Sequence, residues 1–78
     1  MRQKVKKLVV TFAATSRAMK MEKRAAAAAL EGRLIPIPPA IQAGCGLAFC
    51  TRILLRSRVE ELLEKEEIEP EGIYEVFL

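Results

Sequence analysis

The chemistry open to this sequence centres on Cys45, which stands between Gly44 and Gly46 in a chain with one other cysteine, Cys50, and no histidine. Glycine on both sides lets the backbone take positive φ and leaves no flanking side chain to cover the sulfur. A thiolate is the reactive form of cysteine, and nearby cations or backbone amides lower the free-thiol pKa of about 8.5. Gly44 and Gly46 can offer backbone amides as a small anion nest. Arg33, Arg52 or the amino end of the first helix could add positive charge, and the sequence does not place them. The competing reading of Cys45 is a bystander thiol, since free cysteines are among the most buried residue types.

Cys50 reads as a packed or surface thiol inside a strand, with a resolving thiol as its functional alternative. Five extended residues span about 17 Å, whereas bridged Cα atoms lie within roughly 7 Å. A Cys45–Cys50 disulfide therefore requires the segment to fold back. The absence of histidine excludes a Ser-His-Asp triad, a Cys-His dyad and any histidine metal ligand within the chain. Two cysteines make neither a four-sulfur zinc site nor, at this spacing, a Cys-x-x-Cys redox motif. No metal and no cofactor is expected.

These residues must be positioned by a small fold. At 78 residues the chain makes one domain, 1–78, that buries roughly 60% of its unfolded surface. Its composition, 51% hydrophobic and 29% charged, is that of a soluble globular protein. No apolar run approaches the ~18 residues of a membrane span. Leu8-Val9-Val10 is too short for a signal-peptide core behind the basic start. The expected compartment is the cytoplasm, where thiols stay reduced.

Charge is segregated along the chain. Residues 1–33 hold nine Lys or Arg against Glu22 and Glu31 (+7), residues 34–58 add Arg52, Arg56 and Arg58 (+3), and residues 59–78 hold eight Glu against Lys65 (−7). The sum is the net +3. Solvated helix faces that attract one another account for this pattern. A basic surface for nucleic acid is the weaker reading, because Phe12, Phe49, Tyr74 and Phe77 are not interleaved with the basic cluster.

Residues 4–12 read as a central, two-sided strand of β-formers. A helix follows, capped by Thr15 or Ser16, with Ala18, Met21, Ala25, Ala28 and Ala29 at three- and four-residue spacing and Gly32 as its stop. The run of alanines from 25 to 29 favours helix and permits close approach to a sheet. Residues 33–37 form a second strand ended by Pro38-Pro39, and 40–44 a loop. Residues 46–53 form a third strand, with Leu47 and Phe49 facing one way and Ala48 and Cys50 the other. Residues 56–67 make a second helix on the stripe Val59, Leu62 and Leu63, and after the Pro70-Glu71-Gly72 turn residues 73–78 close the sheet. The order β-α-β-β-α-β predicts an α+β, ferredoxin-like split sandwich with both helices on one face of an antiparallel sheet.

Four blocks resemble a known pattern. Thr11-Phe12 with Thr15, Ala18 and Glu22 looks like an opening strand and helix start. Arg33-Leu34-Ile35-Pro36-Ile37-Pro38 resembles an "RLIPVP" strand, Cys45-Gly46-Leu47-Ala48 an "SCGLA" signature, and Gly72-Ile73-Tyr74-Glu75-Val76 a closing strand. Together they resemble the selenium/sulfur carrier protein-like family over nearly the whole chain. The resemblance implies a carrier that holds a persulfide or perselenide on Cys45. It would work between a cysteine desulfurase-like donor and a sulfur or selenium acceptor, and would not be a turnover enzyme in its own right. Ser16 and Pro39 stand where histidine and arginine are usual, so any help those residues give the thiolate is missing here. Gly44 replaces a usual serine. The alternative function is a non-catalytic interaction or ligand-sensing module, since this fold does not fix function. A homodimer would complete so thin a core.

Overall fold

A computed structural model describes residues 4–42 and 44–78. Arg2, counted in the basic first third, and Ala43, in the expected loop, lie outside the described residues. The elements are β1 (Lys6–Thr11), α1 (Thr15–Ala27), β2 (Arg33–Pro36), β3 (Leu47–Arg52), α2 (Arg56–Lys65) and β4 (Gly72–Phe77), with a single 3₁₀ turn, Ile53–Leu55, leading into α2. The strands form one antiparallel sheet in the order β2-β3-β1-β4. Each helix thus connects two strands separated by a third, which is the ferredoxin-like arrangement.

Alternation along the strands sorts side chains between two faces. Leu8, Val10, Phe12 and Phe49 pack with Ala18, Met21 and Ala25 of α1 and Val59, Leu62 and Leu63 of α2. Both helices therefore cover the same face. The other face carries Val9 and Ala48, roofed by Ile41. Pro38 and Pro39 set up that roof: they end β2, and the Ile41 N–H closes a turn onto the Pro38 carbonyl. Leu8, Val9 and Val10 are all fully buried, as a strand covered on both faces requires.

The other elements lie within two residues of their expected bounds, and α1 differs at both ends for physical reasons. The cap of α1 is Ala14, with no side-chain hydrogen bond, and Thr15 is already its first helical residue. The Ala14 carbonyl receives the Arg17 and Ala18 amides instead. At its other end α1 stops at Ala27 rather than running to Gly32. Ala29 takes φ 57°, the Ala29 N–H bonds the Ala26 carbonyl and the Leu30 N–H bonds the Ala25 carbonyl. This is a Schellman closure, and it is held by burial of Leu30. The same closure ends α2, with Glu67 at φ 54° and the Ile68 N–H on Leu63. Gly32 serves a different need: a Cβ there would land on the ring of buried Phe49, 2.7 Å from Cε2.

The segregated charges meet across the helices. Arg24 pairs with Glu66 at 3.3 Å, Lys20 donates to the Glu66 carbonyl at 3.3 Å, and Arg58 donates to the carbonyl of Ala28, just past the end of α1, at 3.3 Å.

Candidate functional site

Cys45 lies in the loop that enters β3, and the glycines on either side have structural reasons to be there. Gly44 has φ +90° and Gly46 φ +100°, a region that side chains rarely adopt. At Gly44 a Cβ would also strike Ile37 Cδ1 at 2.7 Å and sit 3.2 Å from the Phe12 carbonyl oxygen. Gly46 has open space around its Cβ direction, so only its backbone conformation demands glycine. Two backbone bonds fix the loop: the Cys45 N–H donates to Phe12 at 3.0 Å, and the Ile37 N–H donates to Gly46 at 3.1 Å. The first commits the Cys45 amide to the backbone, so it is not free to face an anionic sulfur.

The thiol itself is half-buried against the helix-side core. Its S–H donates to the Leu47 carbonyl at 3.6 Å, a weak bond that rotation about χ1 would break. Phe12, which receives the Cys45 amide, lies two residues before the cap of α1. The site is thus built where β1 ends, α1 begins and β3 is entered.

Arg33 is placed elsewhere. In the β2–β3 register it stands opposite Cys50, whereas Pro36, at the other end of β2, stands opposite Leu47. The structure therefore groups Gly44, Cys45 and Gly46 at one end of β3 and puts Arg33 with Cys50 towards the other. Both thiols are free, and they belong to opposite faces of the sheet.

Cys50 has an environment that sequence reasoning missed. It lines a cavity of about 270 Å³ together with Lys7, Arg33 and Arg52. Burial pushes its thiol pKa up, and the charges of Lys7 and Arg33 pull part of that back. The signal was the pairing register, which aligns Lys7 with Arg52 and Arg33 with Cys50; strand parity alone does not supply it. Among the described residues no group of three metal-ligating side chains comes together, and no helix is long and apolar enough to cross a membrane.

Compared with known proteins, the chain matches the family model described as "Putative Se/S carrier protein-like" over residues 7–75. That span includes every strand and helix except the first residue of β1 and the last two of β4. No curated protein and no solved structure matches the chain.

Proposed function

The chain belongs to the Se/S carrier protein-like family, and from that premise we propose that it carries sulfur or selenium on Cys45 between partner proteins in the reducing cytoplasm. The observation that supports this most directly is the free, half-exposed thiol on a loop whose two glycines take positive φ. Such a loop puts no side chain directly beside Cys45 in sequence and leaves part of the sulfur within a partner's reach.

Loading is a thiol exchange. The Cys45 thiolate attacks the outer sulfur of a donor persulfide, R–S–SH. A new S–S bond forms on Cys45, the donor's S–S bond breaks, and the donor cysteine leaves as a thiolate. Delivery is the same exchange in reverse sense: an acceptor nucleophile takes the outer sulfur and Cys45 is released as a thiolate. No net oxidation occurs in either step, so the carrier needs no redox cofactor. The donor fitting this chemistry is a cysteine desulfurase-like enzyme.

Incubation with a desulfurase and cysteine, followed by intact-mass and peptide mass spectrometry, tests the proposal. One added sulfur is expected on Cys45, lost in Cys45→Ser and retained in Cys50→Ser. Equal labelling of both thiols, or none, would overturn it.

A further inference from the structure

The cavity beside Cys50 gathers more positive charge than its surroundings neutralise. Lys7, Arg33 and Arg52 come from β1, β2 and β3, three neighbouring strands. Strands about 4.8 Å apart, with a same-face repeat near 6.7 Å, put their attachment points within about 12 Å. Long side chains converge easily over that distance. The one carboxylate in the cavity wall is Glu31, which pairs with Arg52 at 3.3 Å. Among the described residues Lys7 and Arg33 form no ion pair. Three cations less one carboxylate leave a surplus of two charges (3 − 1 = 2).

We propose that this cavity binds a small, doubly charged tetrahedral oxyanion of the phosphate or sulfate class, free or as a small monoester, between Lys7, Arg33 and Arg52. Guanidinium forks match the spacing of oxyanion oxygens, and an ammonium group supplies a point charge. The volume of about 270 Å³ falls just below the roughly 300–1,000 Å³ of pockets for drug-sized ligands, which limits the occupant to a small group. Lys7 and Arg33 are close enough for their charges to be felt at the Cys50 sulfur, and burial keeps that thiol neutral. Cys50 therefore does not compete with an incoming anion for the cations. A nucleic-acid strand fits less well, because Tyr74 is the one aromatic on this face of the sheet among the described residues and successive bases would lack stacking partners.

This site is on the opposite face from Cys45, so it stands or falls independently of sulfur carriage. The test is an amide NMR titration of the full chain at low ionic strength with inorganic phosphate and, separately, phenyl phosphate. Saturable shifts are expected at Arg33, Cys50 and Arg52, with slower iodoacetamide alkylation of Cys50 and unchanged alkylation of Cys45. Loss of one charge-assisted contact weakens binding roughly tenfold, so Lys7→Ala and Arg33→Ala should each do so, with Arg33→Lys intermediate. Arg17→Ala, which removes an exposed cation of α1, should change nothing. Equal affinity for both probes identifies the free anion as sufficient, and preference for phenyl phosphate identifies a monoester; either supports the site. Non-saturable shifts spread over all basic residues, an equal effect of Arg17→Ala, or tighter binding of a single-stranded oligonucleotide than of either probe would overturn it.

Discussion

Replacing Gly46 by alanine isolates what the loop conformation contributes. Nothing lies within 4 Å of the Cβ that alanine would add, so no collision contributes to the cost. What remains is the backbone at φ +100°, a region that costs a side-chain-bearing residue on the order of 1–3 kcal/mol. Alanine also has fewer unfolded conformations than glycine, which returns about 0.4–1 kcal/mol. The net expectation is a loss of roughly 1–2 kcal/mol. For a domain of this size that lowers Tm by about 5–15 °C, a measurable share of a total stability on the order of 4–12 kcal/mol.

Thermal and urea unfolding of reduced protein, followed by far-UV circular dichroism, reads the loss. A second substitution tests its cause. D-alanine at position 46, introduced by chemical synthesis with ligation at Cys45 or Cys50, favours positive φ and should stabilise the protein relative to glycine. The Gly46 carbonyl receives the Ile37 amide, so L-alanine should also pull that bond out of line and lower sulfur loading of Cys45. If L- and D-alanine change stability equally, positive φ is not what the loop requires, and the explanation given for its glycines is wrong.

Three further outcomes are expected. Ala29→Gly should raise stability by about 0.5–1 kcal/mol because Ala29 sits at φ 57°, while Ala26→Gly, on the exposed face of α1, should lower it by about 1 kcal/mol; urea midpoints of the two variants must move in opposite directions. Gly32→Ala should cost about 1–3 kcal/mol as overpacking, because its Cβ meets the ring of Phe49, which is fully buried. Burial raises the Cys50 thiol above its unfolded value, so the fold favours the neutral form: that stability is fully present below the unfolded pKa and is lost as pH rises through the folded one. Urea midpoints measured towards alkaline pH should accordingly fall more steeply for the parent than for Cys50→Ala.

The elements and their order were legible in the sequence because local patterns specify them. The two-sided run at Leu8–Val10 marked the central strand, and alternation through 47–50 assigned Leu47 and Phe49 to one face and Ala48 and Cys50 to the other, as the two clusters show. The end of α1 was not legible. Alanines 25 to 29 have one propensity throughout, and the helix stops where burying Leu30 makes a left-handed Ala29 worthwhile, a tertiary effect invisible to spacing. Its start misled for a related reason: Thr15 is a good capping residue, but the chain enters the helix one residue earlier, at Ala14. Arg33 was a candidate partner for Cys45, and only the β2–β3 register shows that it stands opposite the other cysteine.

That placement bears on how a chain with two free thiols could load only one of them. Selectivity is a difference in reactivity, so it can arise by suppressing one site as readily as by activating the other. Cys50 sits within β3, with Arg33 and Val9 as its cross-strand neighbours, and burial holds it in the neutral form, which neither attacks a persulfide nor binds as an anion. Cys45 sits outside the strand ladder, held at sulfur by one weak bond to a carbonyl. On this reasoning the loss of histidine and arginine at Ser16 and Pro39 is offset by the lower reactivity expected of Cys50 in the sheet. Relieving that suppression is the decisive comparison. If Val9→Ala, which opens space beside Cys50, leaves sulfur loading confined to Cys45, burial is not the source of selectivity; if Cys50 begins to load, it is.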